Sequence, residues 1–107
     1  MKGLPGSMAQ LMKQANQMQM KMKKAQEELA QAEYEAGAGG GGVTVKVNGN
    51  YQLLAVAINP EVFKSADAEM LQDMVMSAAN EALKKARETT QKEMEKITGG
   101  LNMPGLF

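Results

Sequence analysis

The 107-residue sequence contains no cysteine and no histidine. Without them the chain has no disulfide, no thiolate nucleophile and no imidazole base, and it lacks the usual ligands of zinc, haem and iron–sulfur sites. Aromatic residues make up only 4% of the chain, although 44% of it is hydrophobic. A single copy therefore has few large side chains with which to build a core, and this favours association with a second copy.

Long apolar runs are also missing. No run approaches the roughly 20 residues of a membrane-spanning helix. The first ten residues, MKGLPGSMAQ, lack the continuous apolar core of a signal peptide. We therefore expect a soluble, unexported chain with no membrane partner, and a reducing cytoplasm fits the absence of cysteine.

Charge is balanced in sum but segregated along the chain. Twelve Lys and Arg residues balance twelve Asp and Glu residues. The net charge is therefore zero and gives no sign of a nucleic-acid partner. Residues 1–26 carry five lysines and no acid, whereas residues 27–36 carry four glutamates and no base. Residues 61–81 hold five acids and one lysine, and residues 84–96 hold five bases and three acids. Two basic segments thus alternate with two acidic ones.

The N-terminal third is predicted to form one long amphipathic helix that begins near residues 5–7. A helix of this length exceeds what a domain of 107 residues can easily cover, so part of it must project or meet a second copy. Four of the ten apolar positions are alanine, which buries little area, and the flanking charges would not attract each other across a parallel pair of helices. Both features favour packing on other elements over a self-contained coiled coil. The 4-3 spaced apolar stripe comprises Leu4, Met8, Leu11, Ala15, Met18, Met22, Ala25, Leu29, Ala32 and Ala36.

A glycine-rich break at residues 37–42 follows this helix. It spells GxGxxG, but the dinucleotide-binding fingerprint follows a strand and opens a helix. Here a strand comes after the glycines, since three valines at positions 43, 45 and 47 alternate with polar residues. We therefore interpret the glycines as a loop.

A second strand is predicted over residues 51–58, joined to the first by a tight turn at residues 48–50. The apolar pattern predicts that Val45 pairs with Leu54 and Val43 with Val56. The alternate positions of the second strand are also apolar, which predicts a sheet covered on both faces.

A last helix is predicted to start after Asp67, which can cap it, and to stop at residues 99–100, which are both glycine. Its apolar stripe thins beyond Ala86, so this helix too is expected to extend past its packing partners. The stripe comprises Leu71, Met74, Val75, Ala78, Ala82 and Ala86.

Several segments together carry a family resemblance. They are LMKQANQMQ at 11–19, KMK at 21–23, QEEL at 26–29, the glycine break, VTVKVNG at 43–49, INP at 58–60 and AANEA at 78–82. In their order and spacing the chain resembles the YbaB/EbfC family of bacterial nucleoid-associated DNA-binding proteins, over nearly its whole length.

The resemblance implies an α+β fold, an αβββα protomer with a three-stranded antiparallel sheet and long N- and C-terminal helices. It implies one domain over residues 1–107, with loose ends at about 1–6 and 99–107, and a first strand at residues 33–36. It also implies a tweezers-like homodimer that forms through the sheet. The candidate dimer-interface residues are Val43, Val45, Leu54, Val56 and Ile58.

The function that the resemblance implies is binding of double-stranded DNA in the cytoplasm and nucleoid, with low sequence specificity. Such a protein would bridge or condense DNA and influence gene expression. Lysines on the projecting helices would contact phosphates and release counterions, although charge alone favours an ordinary solvated helix face. The candidate DNA-binding residues are Lys13, Gln17, Lys21, Lys23, Lys24, Lys84, Lys85, Arg87 and Lys92.

An alternative function remains open at this point. Eleven methionines could form an adaptable surface, which would suit a protein-binding adaptor or holdase with projecting Met-rich helices. Most methionines of the first helix lie on its packing face, but Met20 falls outside that face and is expected to be exposed. An enzyme is not expected, since the carboxylates do not converge, and neither a cofactor, a metal nor a small-molecule substrate is expected.

Overall fold

A computed structural model describes residues 6–99 of the chain. Long helices stand before and after three antiparallel strands, so the α+β class is confirmed. The expected loose ends fall almost wholly on residues 1–5 and 100–107, which lie outside the described residues. The elements are α1 (Gly6–Gln31), β1 (Glu33–Ala38), β2 (Val43–Asn48), β3 (Leu53–Ile58), α2 (Pro60–Ser65) and α3 (Ala68–Thr98).

The first strand lies before the glycine loop, as the family resemblance implied. It begins at Glu33 and continues to Ala38, two residues further than expected. The stripe of α1 therefore ends at Leu29, and Ala36 belongs to the sheet, where it is only 6% exposed. The turn itself occupies residues 39–42. Three of its glycines have φ between 61° and 91°, a region that disfavours any residue with a Cβ atom.

The strands pair in the order β1-β2-β3, but the expected register of β2 and β3 is wrong by two residues. Val45 pairs with Val56 and Val43 with Ile58. The apolar residues stay on one face because the shift is even.

The shift arises from the loop that joins the two strands. Asn48 accepts hydrogen bonds from the backbone N–H groups of Asn50 (2.9 Å) and Gln52 (3.1 Å). These bonds hold a four-residue loop in which Tyr51 has φ 62°, in place of the expected tight turn. An irregularity between Lys46 and Val47 completes the change of register.

The C-terminal helix begins and ends where the sequence predicted. The carboxylate of Asp67 accepts the N–H of Met70 at 2.8 Å, and Gly99 ends α3 in the left-handed conformation. The short helix α2 was not expected. Its signal is Asn59-Pro60, in which the asparagine side chain accepts the N–H of Glu61 and proline occupies the first turn.

The core lies between one face of the sheet and α3. The three valines of β2 are fully buried, and they meet alanines spaced four residues apart on α3, at positions 78, 82 and 86. Small alanine side chains let the helix lie close to the sheet. The opposite face of the sheet leaves Ala55 and Ala57 exposed. The expectation of a sheet covered on both faces is therefore wrong, because α1 runs away from the sheet instead of across it.

The described chain is long and thin, measuring 79 × 22 × 17 Å with a radius of gyration of 21.0 Å. A compact chain of this length would have a radius of about 13 Å. The tertiary contacts of α3 run along β1 from Met74 at Gly39 to Lys85 at Glu35. Its last turns continue past the sheet beside α1, and the two helices contact each other. We call residues 6–29 of α1 and 87–98 of α3 the prong.

Candidate nucleic-acid interface

The prong presents a row of cations on α1. Lys13, Gln17, Lys21 and Lys24 follow i, i+4, i+8 and i+11 spacing, which places them on one side of the helix. All four are exposed, and so is Lys23 beside them. The row spans about 16 Å at ~1.5 Å per residue. Residues 6–26 contain four lysines and no acid, so this surface has a net charge of +4.

The lysine row lies outside the packed side of α1, with Lys21 on the flank of that side and Lys13 and Lys24 further around the helix. Met18, Met22, Ala25 and Leu29 are partly buried, and they lie on the side of the helix that contacts α3. The lysine side chains are exposed to solvent, where a polyanion can approach them. The predicted exposure of Met20 is confirmed, at 71%.

A second group of cations lies where α3 leaves the sheet. Lys84 and Arg87 are exposed there, and Lys92 is exposed one to two turns further along the prong. Lys85 differs from them, because its Nζ donates a 2.8 Å hydrogen bond to the backbone carbonyl of Glu35. Its ammonium is thus held at the outer edge of β1. Three glutamates of the same helix, at positions 88, 93 and 95, make this group less basic than the row on α1.

The ion pairs of the described residues lie outside these two groups. Lys46 pairs with Glu33 at 3.5 Å and Lys96 with Glu93 at 3.1 Å. Within residues 6–99, none of the candidate DNA-binding cations has a carboxylate within 4.0 Å. Their charge is therefore available to an external anion.

The end of the molecule remote from the prong is acidic. Asp67, Glu69 and Asp73 surround a cleft beside the glycine loop. Across the part of the chain that the structure describes, no cluster of acidic side chains has the arrangement of a metal site. These acids lie apart from the acid-free stretch of α1 at residues 6–26, so a polyanion is attracted to that stretch and repelled by the cleft.

The candidate dimer-interface residues separate into two sets. Val43 and Val45 are fully buried under α3, so they have no surface to offer a partner and belong to the core of the protomer. Leu54 and Val56 are 46% and 45% exposed, and Ile58 is half-buried. The surface that stays open to a second copy is therefore β3 itself, an edge strand with exposed apolar side chains.

The two edges of the sheet differ in how they are protected. Glu33 and Glu35 belong to β1, and the ammonium of Lys85 donates a hydrogen bond to the backbone carbonyl of Glu35 at its edge. On β3 the six residues are Leu-Leu-Ala-Val-Ala-Ile, without a charge. Charged groups block pairing with another strand, whereas an apolar edge promotes it.

A family model matches residues 4–101, and its description is the YbaB/EbfC DNA-binding family. The chain belongs to this family. A nucleoid-associated protein of Alkaliphilus metalliredigens is 50% identical over 111 residues, covering 99% of this chain and 97% of the relative. One of Clostridium novyi is 52% identical over 110 residues, covering 98% and 96%. These YbaB/EbfC names denote nucleoid-associated, DNA-binding proteins and not enzymes.

The YbaB/EbfC fold also occurs among solved structures. The crystal structure of an uncharacterized protein, HP0035 from Helicobacter pylori, aligns with a TM-score of 0.69 at 25% identity. The alignment covers 90% of this chain and 99% of that one. Within the described residues of this YbaB/EbfC chain, neither long helix is apolar enough to cross a membrane.

Proposed function

We propose that this chain binds double-stranded DNA with low sequence specificity, through phosphate contacts of the lysine row on α1. The observation that carries the proposal is an exposed, acid-free surface of net charge +4 on a helix that projects from the domain. Lysines that neutralise phosphates release condensed counterions, and this term does not depend on base sequence. The family to which the chain belongs supports DNA as the partner.

The cations of α3 form a second contact region at the base of the prong. Lys84, Arg87 and Lys92 add positive charge on a separate part of the same projecting body. DNA that lies along the prong would meet the row on α1 first and these residues next. We expect them to contribute less per residue, because glutamates stand among them.

We propose further that two copies associate through β3 to give a tweezers-like homodimer. The edge strand buries its apolar side chains in this way, and the dimer then carries two prongs. Two prongs permit contact with two DNA segments, and therefore bridging or condensation of DNA in the nucleoid of a bacterial cytoplasm. An influence on gene expression would follow from occupancy of the DNA.

A fluorescence-anisotropy titration of duplex DNA tests the binding proposal. The expected result is similar affinity for duplexes of unrelated sequence, with log K falling linearly against log salt at about 0.9 per phosphate contact. Salt-independent affinity, or binding to a single sequence only, would refute it.

The exposed methionines of α1 favour one alternative function, binding of other proteins. Met8, Met12 and Met20 are 46%, 55% and 71% exposed, and such side chains suit adaptable binding of proteins. A protein-binding adaptor or holdase would bind unfolded chains equally well at high salt. A parallel titration with a reduced, unfolded client protein separates the two functions, because DNA binding fades with salt and apolar binding does not.

A further inference from the structure

Tyr51 has a backbone conformation that its residue type disfavours. Its φ is 62°, and within residues 6–99 it is the one residue other than glycine with a positive φ. A side chain with a Cβ atom costs free energy in this left-handed region, whereas glycine avoids the cost and asparagine reduces it. Residues of both types precede it, Gly49 and Asn50, so the loop places a poorly suited residue at the position with positive φ.

Hydrogen bonds of the loop hold Tyr51 in this conformation. Its N–H donates to the carbonyl of Asn48 at 3.0 Å, and the side-chain amide of Asn48 donates to Gln52 Oε1 at 2.8 Å. The N–H of Asn48 also donates to the carbonyl of Gln52 at 3.0 Å, which closes the loop at its base. The phenol takes part in none of these bonds, so the loop fixes the backbone of Tyr51 and leaves its hydroxyl available.

Burial does not account for a tyrosine at this position. The side chain is 48% exposed, whereas an aromatic ring stabilises a fold chiefly by leaving water. The hydrogen bonds of the loop use only the backbone of Tyr51, and a glycine would provide the same backbone groups. An unfavourable backbone conformation beneath an exposed side chain is typical of a binding site, because there the side chain contacts a ligand.

The loop lies against the end of α1, close to an exposed lysine. Gly49 lies against the backbone of α1 at Leu29 and Ala30. Lys23 precedes Ala30 by seven residues, so the two share one side of the helix and are about 10 Å apart along it at ~1.5 Å per residue. Duplex DNA carries one phosphate per ~1.7 Å of its axis. A duplex that contacts Lys23 therefore has further phosphates at the distance of the loop.

We propose that the hydroxyl of Tyr51 donates a hydrogen bond to a backbone phosphate of duplex DNA, beside the phosphate that Lys23 contacts. This inference rests on the proposed DNA binding and adds a neutral donor to it. A tyrosine hydroxyl can contact phosphate without reading a base, which agrees with low sequence specificity. The loop fixes the backbone of Tyr51 before DNA arrives, so less conformational freedom is lost on binding.

Two substitutions of Tyr51 test the contact in anisotropy titrations of duplex DNA. Tyr51→Phe should lower the affinity about tenfold for every sequence, the effect of one hydrogen bond to a charged group. The salt slope should not change, because a neutral donor releases no counterion. Tyr51→Gly should lose as much affinity and yet raise the urea midpoint of unfolding, since glycine accepts a φ of 62°.

Tyr34→Phe is the matched control, because it removes the same hydroxyl from a residue whose Oη is buried without a partner in the described part of the chain. It should bind DNA like the unaltered chain. Full affinity of Tyr51→Phe would overturn the proposal while the unaltered chain still bound DNA. Light scattering gives the second criterion, since a monomeric Tyr51→Phe variant would assign the side chain to the dimer interface instead. Failure of the unaltered chain to bind any duplex would reject both this contact and the proposed function.

Nitration by tetranitromethane supplies an independent measurement on the unaltered chain. The reagent modifies tyrosine and cysteine, and the chain contains two tyrosines and no cysteine. With duplex DNA at about ten times its Kd, nitration of Tyr51 should slow about tenfold, because only the free protein reacts. The rate at Tyr34, whose hydroxyl is buried, should not change. An equal rate at Tyr51 with and without DNA would contradict the contact.

Discussion

At the scale of single residues, Gly49 allows the loop between β2 and β3 to lie close to the end of α1. Its N–H donates to the carbonyl of Ala32 at 3.1 Å, and its Cα lies against the backbone of Leu29 and Ala30. A Cβ atom there would overlap the carbonyl of Leu29, which cannot rotate away as a flexible side chain could. This glycine therefore serves close approach of two backbones.

Replacing Gly49 by alanine should accordingly lower the free energy of unfolding by about 1–3 kcal/mol, the usual cost of overpacking. Urea denaturation at fixed protein concentration measures the change. Asn50→Ala is the matched control, because this exposed residue contributes its backbone N–H to the loop and should change stability by less than about 0.5 kcal/mol. Equal stability of Gly49→Ala and the unaltered chain would show that α1 is not packed on the hairpin.

The sequence predicted residues whose contacts are close in the chain, and it missed residues whose contacts are distant in the chain. Asp67 and Gly99 were expected at the ends of α3 because capping depends on nearby backbone groups. Gly49 was expected only as part of a turn, and Lys85 only as a candidate DNA-binding cation. Their partners, Leu29 and Glu35, lie 20 and 50 residues away in sequence, and a single sequence gives no signal for such contacts.

At the scale of elements, the long helices and the strands β2 and β3 were predictable from the residue pattern, whereas the register of the two strands was not. The strand β1 was expected only from the family resemblance, because its residues continue the helical spacing of α1. Alternating valines and the 3.6-residue periodicity of the helices are strong patterns. The register of β2 and β3 depends on the hydrogen bonds of Asn48 and on the conformation of Tyr51, which the turn sequence does not specify. The burial of Val43 and Val45 likewise depends on where α3 crosses the sheet.

A charge on the edge strand β3 is expected to prevent association of two copies. Val56→Lys places a charge on the apolar edge that we propose to join two copies, so the dimer should dissociate to monomers at micromolar concentration. Light scattering coupled to size-exclusion chromatography measures the mass. Met20→Lys adds the same charge at an exposed apolar residue of α1 and should leave a dimer. A monomeric unaltered protein, or a dimeric Val56→Lys variant, would contradict the proposed interface.

At the scale of the whole molecule, charge and shape act together. The prong is basic, the opposite end is acidic, and the long dimension of 79 Å separates them. The net charge of zero does not reveal this arrangement, because it does not depend on where the charged residues lie. The spacing of the lysines predicts that they share one side of α1, and the structure adds that this part of α1 lies away from the acidic cleft.

Bridging of DNA should require two prongs, whereas binding requires only one. The Val56→Lys monomer is therefore expected to bind duplex DNA but to lose the capture of a second, labelled duplex by an immobilised one. Its added positive charge cannot account for such a loss, because extra charge favours phosphate contact. Bridging by a variant shown to be monomeric would place the second DNA contact within one protomer.

A matched pair of double variants tests whether the lysine row of α1 binds DNA. Lys13→Ala/Lys24→Ala removes two cations from the row, and Lys46→Ala/Lys64→Ala removes the same charge elsewhere. In anisotropy titrations of duplex DNA across a salt series, the first variant should lose affinity for every sequence. Its log–log salt slope should decrease by about 1.8 per bound protomer, at ~0.9 for each lost phosphate contact. The second variant should keep the original slope, and equal slopes for both variants would contradict the assignment of DNA binding to α1.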